Sequence, residues 1–264
     1  MKDFEFHRPA SVKDAVGLVT ARSGAKFLAG GQSLLPVLKL ELAEHSDLVS
    51  LAGCKELRDI RVDGGNVLVG ALATHDDVSR SPEVNKAIPA LAKLAAGIGD
   101  AQVRNRGTLG GSVAHADPAA DYPAAIVGLG ATVVTDRRSI AADDFFTGLF
   151  QTALARDELV KAVQFPIPKR AAYAKFGHRA SKYALVGVFV AEHATGIRVA
   201  VTGAAAKVFR LASYEAALGK KLAPGSLDGI AVASTNFNSD AEASAEYRAH
   251  LIGVMARRAI QALA

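Results

Sequence analysis

Two glycine pairs, each followed by a hydroxyl side chain, constrain this chain more than any other feature. They are Ala29-Gly30-Gly31-Gln32-Ser33-Leu34-Leu35-Pro36 and Thr108-Leu109-Gly110-Gly111-Ser112. A diphosphate needs several inward-pointing N–H donors with no Cβ in the way. Glycine pairs in tight turns meet both needs, and Ser or Thr hydroxyls add donors. Where such a turn opens a helix, the helix dipole favours the anion. Either segment alone reads equally as an ordinary strand-to-helix turn. Matching chemistry at two distant places points instead to one ligand clamped from both sides.

Composition removes several alternatives. With 264 residues, the chain can bury a large core without staples. Its single cysteine, Cys54, rules out an intrachain disulfide, a CxxC zinc site and an iron–sulfur cluster on four of its own cysteines. Cys54 reads as inert. The net charge is +5, but the basic residues are scattered and there is no Trp, so no nucleic-acid partner is expected. The longest uncharged stretch, Tyr122 to Thr135, is far shorter than the ~20 residues of a bilayer span. Met1-Lys2-Asp3-Phe4-Glu5 carries acids where a signal peptide is apolar, which predicts a cytoplasmic protein.

Along the chain, Ser11 with Asp14 predicts a capped helix that ends by Gly24. A strand at Ala25 to Leu28 and a helix capped by Ser33 through Leu40 follow. Asp47 to Leu51 reads as a strand, and Gly64-Gly65 sits between two apolar runs as a hairpin turn. Thr74 opens a helix broken at Pro82, and another runs from Pro89 to Ala96. Ala131 to Thr135 and Leu159 to Phe165 read as strands before Pro166 and Pro168. Beyond them, 173–176, 184–191 and 197–202 predict a small antiparallel sheet. Helices around 214–218 and from Ser244 onward complete the chain.

Common nucleotide and catalytic fingerprints are missing. There is no GxxxxGK[ST], no GxGxxG opening a βαβ unit, no GxSxG and no HExxH. The seven histidines show no metal-ligand spacing. No metal site and no catalytic side-chain constellation is expected. His75 and His115 read as structural or surface residues. The residues alone lead to a diphosphate-bearing ligand held by an unusual double loop.

Three segments in order carry a family resemblance: AGGQSLLP, then QVRNRGTLGGSVAHADPAADYPA, then KFGHRASKYALVG. Together they resemble the FAD-binding medium subunit of the molybdenum hydroxylases, the xanthine dehydrogenase and aerobic carbon monoxide dehydrogenase family. The resemblance implies an α+β protein with a vanillyl-alcohol-oxidase-like (PCMH-type) FAD-binding fold. Two α/β subdomains, 1–55 and 56–168, would enclose FAD, and 172–264 would form a C-terminal α+β domain.

The same resemblance implies noncovalent FAD contacts at Leu28, Ala29, Gly30, Gly31, Gln32, Ser33 and Leu34, with the amides of Gly30 through Ser33 on the pyrophosphate. Thr108, Gly110, Gly111 and Ser112 would meet it from the opposite side, and Ile98 and Gly99 would lie beside the cofactor. Asp121 is similar to an acid on the adenosine part, or reads simply as a helix N-terminal acid. Lys175 matches a lysine near the isoalloxazine, where a cation would stabilise charge built up on reduction; as a solvated strand lysine it would do nothing. Leu159 would lie near the ring or the adenosine, or only pack the core. Tyr183 would sit at the flavin edge.

The implied role is electron transfer inside a complex. A large molybdopterin-binding subunit would oxidise the substrate, and a small subunit with two [2Fe–2S] clusters would pass electrons to this chain's FAD. NAD, quinone or oxygen would accept them, and the assembly would be a dimer of heterotrimers. Two other readings compete: a stand-alone FAD oxidase of a small alcohol or lactone, and a nonenzymatic nucleotide-binding or assembly module. The chain departs from the family pattern at Ala204 to Arg210, which lacks a proline before the arginine, and at the short turn Glu192 to Gly196.

Overall fold

The structure is a computed structural model that describes residues 2–263. Its first unit runs β1 (Glu5–His7), α1 (Val12–Ala21), β2 (Ala25–Leu28), α2 (Leu34–Lys39) and β3 (Asp47–Ser50). All three strands are parallel, in the order β1-β3-β2. Ser11 caps α1 by accepting from the Asp14 amide, as its position predicts. Helix α1 ends at Ala21, short of Gly24, because Arg22 already has an extended backbone. Ser33 precedes α2 but makes no capping hydrogen bond, since its own backbone is helical. Its hydroxyl is left free of the expected task.

The second unit opens with the hairpin β4 (Ile60–Asp63) and β5 (Asn66–Gly70), closed by Gly64 and Gly65, both at positive φ. Four short helices follow: α3 (His75–Arg80), α4 (Pro82–Ala87), α5 (Pro89–Ala96) and α6 (Ala101–Arg106). Thr74 and Asp77 form a reciprocal capping box at the start of α3. The second glycine pair lies inside a helix, α7 (Leu109–His115), whose N-cap is Thr108. Helix α8 (Tyr122–Leu129) is buried along its whole length.

Next come β6 (Thr132–Thr135), β7 (Ser139–Ala141), α9 (Ala142–Phe145), the hairpin β8 (Phe146–Gly148) and β9 (Gln151–Thr152), and β10 (Val160–Pro166). They complete a five-stranded sheet in the order β4-β5-β10-β6-β7, beside the separate β8–β9 pair. One core unites this sheet with α3, α5, α7 and α8.

The third unit is a four-stranded antiparallel sheet of β11 (Arg170–Gly177), β12 (Ala184–His193), β13 (Gly196–Thr202) and β14 (Phe209–Arg210). Helices α10 (Ala212–Lys220) and α11 (Ala245–Gln261) pack on one face through Tyr214, Leu218, Leu251, Met255 and Ile260. The other face lies against α8, where Phe189 meets Gly128. The short turn expected at 192–196 is a tight hairpin that pairs His193 with Gly196.

Candidate functional site

A single cavity of about 800 Å³ runs between the first two units, near the upper end of the ~300–1,000 Å³ typical of small-molecule and cofactor sites. Of the positions expected to touch a cofactor, Leu28 through Leu34, Ile98, Gly99, Thr108, Gly110, Gly111, Ser112, Asp121 and Leu159 all border it. So does Tyr183, from the third unit. Lys175 does not border it.

The two glycine segments differ in what they offer. In the first, the amides of Gly30, Gly31, Gln32 and Ser33 have no acceptor among the described residues. Gly31 is at φ +76°, a left-handed backbone that glycine adopts readily. In the second, the amides of Leu109, Gly110, Gly111 and Ser112 are already used. Leu109 N–H donates to the Ala73 carbonyl at 3.0 Å, Gly110 to Ala71 at 2.9 Å, Gly111 to Thr108 Oγ1 at 3.1 Å and Ser112 to the Thr108 carbonyl at 3.0 Å. The expectation that both loops present backbone donors is therefore corrected. A helix first turn stitched to the end of β5 has spent its orphan donors. What remains there is the Thr108 amide, the Ser112 hydroxyl and room.

That room depends on glycine. A Cβ on Gly30 would overlap the Arg106 carbonyl, and one on Gly110 would lie 2.8 Å from the Ala71 Cα. A Cβ on Gly111 would meet Thr108 Oγ1 at 2.8 Å and Ala29 Cβ at 3.6 Å, so the two segments approach each other there. Leu159 packs in the core and also reaches the cavity. It is 6% exposed, in a core cluster with Val49, Leu51 and Leu72, and it borders the cavity.

Asp121 and Lys175 form one structure. Lys175 Nζ lies 3.0 Å from Asp121 Oδ2 and donates also to the carbonyls of Gly97 and Lys182, each at 2.9 Å. Tyr173 donates its hydroxyl to Asp121 Oδ1 at 2.5 Å. Burial pushes the Asp121 carboxyl pKa up, against the pull of Lys175 and the Tyr173 hydrogen bond. Asp121 on the adenosine and Lys175 on the isoalloxazine would be opposite ends of an extended FAD. The 3.0 Å ion pair places the two at one point of the site, and Lys175 is not a solvated lysine.

Other residues border the cavity with no pattern in the sequence to mark them. His75 is 5% exposed, and its Nδ1 has no partner among the described residues. Its ring tilts against Tyr122 at 5.3 Å, whose hydroxyl is also buried and unpartnered. Desolvation lowers the His75 pKa to about 4, so the imidazole is neutral at pH 7. His115 packs against Phe150 at 5.1 Å on the cavity wall, and Lys26, His45 and Arg156 supply basic groups. Glu158 is held by Arg138 and Thr135. Cys54 is buried in the first unit's core with its thiol pKa raised, as an inert cysteine should be.

The donor set fits a dinucleotide on structural grounds alone. Four free amides suit a pyrophosphate, and the glycines leave space for it. Comparison with known proteins agrees. Residues 2–168 match the family described as the FAD binding domain in molybdopterin dehydrogenase, and 171–263 match the CO dehydrogenase flavoprotein C-terminal domain. The chain is 37% identical to the nicotine 6-hydroxylase medium subunit of Paenarthrobacter nicotinovorans, over 96% of this chain and 94% of that one. It is 36% identical to the carbon monoxide dehydrogenase medium chain of Hydrogenophaga pseudoflava, over 98% and 96% of the two. Reconstituted CO dehydrogenase from Oligotropha carboxidovorans superposes with a TM-score of 0.93 at 32% identity, covering 98% of this chain and 97% of its counterpart. The chain belongs to the FAD-binding medium subunits of the molybdenum hydroxylases. It is a flavoprotein component of a multi-subunit oxidoreductase.

Proposed function

We propose that this chain holds FAD noncovalently in the cavity and serves as the electron-transfer subunit between iron–sulfur clusters and an external acceptor. The observation that carries this reading is the row of four unpartnered amides, Gly30 through Ser33, on the cavity wall. They would hold the pyrophosphate, with Ser112 Oγ adding a donor from across the cleft. FAD supplies redox chemistry that no side chain here has, taking electrons singly and giving them up in pairs. The chain's own residues bind, orient and exclude water.

The Asp121 and Tyr183 end of the cavity suits the isoalloxazine. It opens beside the third unit, and Tyr183 there is 44% exposed, so a ring at that end stays within reach of an acceptor. The basic end, with Lys26, His45 and Arg156, suits the adenosine. We read the first two units as the subdomains of a PCMH-type FAD fold. We also read the complex as two heterotrimers, each with a large molybdopterin subunit and a small [2Fe–2S] subunit. Among the described cavity-lining residues there is no catalytic set for direct alcohol oxidation, which disfavours a stand-alone oxidase. Native mass spectrometry of the tagged chain from its own host tests all of this. An FAD-sized adduct in an assembly with one larger and one smaller subunit is expected. A lone chain that neither carries nor takes up FAD would overturn the reading.

A further inference from the structure

We propose that Lys175 is a positioning residue, a latch by which the third unit fixes the Tyr183 loop over the mouth of the cavity. An ammonium has three N–H donors, and all three are used on three different segments. The Gly97 carbonyl ends α5, just before Ile98 and Gly99; Asp121 begins α8; the Lys182 carbonyl belongs to the loop between β11 and β12. A cation against the last carbonyl of a helix is favoured by its dipole as well. The side chains of Lys175 and Asp121 are only 15% and 5% exposed, so little water competes for these bonds.

The loop that Lys175 holds is built to move as one piece. His178 N–H donates to the Tyr183 carbonyl at 2.8 Å, and Lys182 N–H donates to the His178 carbonyl at 3.0 Å. His178 Nδ1 accepts from the amides of Ala180 and Ser181 at 3.2 and 3.1 Å. Pairing of β11 with β12 slips by a residue at Gly177, immediately before the loop. Outside itself, the loop meets Glu242, whose Oε2 lies 3.3 Å from His178 Nε2 at the loop's base, and its tie to the cavity wall is the Lys182 carbonyl on Lys175. Its far end is pinned where Ala184 N–H meets the Ala119 carbonyl at 3.1 Å. Removing Lys175 therefore frees one side of a stiff loop whose last residue, Tyr183, borders the cavity.

The proposal rests on the cavity being the FAD site only for its effect on flavin, not for the latch itself. Two measurements separate these. Hydrogen exchange on the full chain, with or without cofactor, reads the loop directly. Lys175→Met is expected to speed exchange over 178–184 about tenfold, the opening expected from losing a bond worth ~1.4 kcal/mol. Lys175→Arg, which can still bridge Asp121 and a carbonyl, is expected to restore protection. Lys175→Gln, with two N–H donors and no charge, gives an intermediate rate and replaces the Met variant if that one does not fold. Iodide quenching of flavin fluorescence should rise in Lys175→Met and in Tyr183→Ala alike, while the flavin midpoint potential stays at the wild-type value. Unchanged exchange in folded Lys175→Met overturns the latch. So does a shifted potential with unchanged quenching, which would make Lys175 a direct partner of the ring. Failure of wild-type chain to take up FAD would instead overturn the cofactor reading, and the exchange comparison would still decide the latch.

Discussion

Gly30 packs so tightly on the backbone of Arg106 that a Cβ at residue 30 would lie 2.7 Å from the Arg106 carbonyl carbon. Two parts of the chain far apart in sequence thus meet backbone to backbone at the cavity's edge. Gly30 serves the packing of the first unit on the second as much as it serves a ligand. Gly111 differs, because its Cβ would face only the Thr108 hydroxyl and Ala29. Gly30→Ala is expected to cost about 3 kcal/mol of stability and to lose FAD. Gly111→Ala should lose FAD affinity with a nearly unchanged melting temperature. Flavin content and thermal unfolding of both variants check the contrast; equal melting losses would refute it.

Because the amides of Leu109 through Ser112 are committed to Ala71, Ala73 and Thr108, the side-chain donor left to that helix turn is Ser112 Oγ. Ser112→Ala should weaken FAD binding about fivefold, the loss of one hydrogen bond of ~1 kcal/mol, without altering stability. Titration of apo chain with FAD, followed by fluorescence, measures it. A wild-type affinity would mean that the first segment alone holds the pyrophosphate.

Much of this arrangement was legible in the residues. The hairpin at Gly64-Gly65, the caps at Ser11 and Thr74, and the three long strands of the last sheet follow from turn chemistry and apolar alternation. The glycine pairs pointed to the cavity, because only close backbone approach explains them. Helix α7 stayed hidden since two adjacent glycines argue against a helix, yet burial against Ala71 overrides that propensity. Strand β1, of three residues, carries too short a pattern to recognise. His75 read only as a structural or surface residue because its place on the cavity wall depends on Gly107 and Tyr122, which only the fold brings to it. Lys175 reads as a charged strand residue until its three acceptors are seen together.

Glu158 is 5% exposed and accepts from Arg138 Nε at 2.9 Å, Arg138 Nη2 at 2.9 Å, Thr135 Oγ1 at 2.8 Å and the Ala155 amide at 3.0 Å. Its pKa is drawn down to about 2, chiefly by the Arg138 hydrogen bonds. A carboxylate lowered on folding stabilises above its unfolded pKa, and that stability is lost as pH falls through its folded value. Glu158→Gln should cost about 2 kcal/mol at pH 7. It should also flatten the fall in stability between about pH 4.5 and pH 2. Urea unfolding across that range is the check.

His75 has the opposite sign of charge and an earlier window. Desolvation in the wall beside Tyr122 lowers its pKa from 6.5 to about 4, so the unfolded chain binds the proton more readily. Stability should therefore fall as pH drops from about 6.5 towards 4. The shift corresponds to about 3 kcal/mol, at ~1.4 kcal/mol per pH unit. His75→Phe keeps a ring against Tyr122 and cannot titrate, so its stability should fall less steeply than wild type across that window, where His45, His115 and His193, also lowered by burial, still contribute. Denaturant melts of both proteins at pH 7, 6, 5 and 4 decide it. Parallel curves for wild type and His75→Phe would mean that His75 is protonated as easily in the fold as in the open chain.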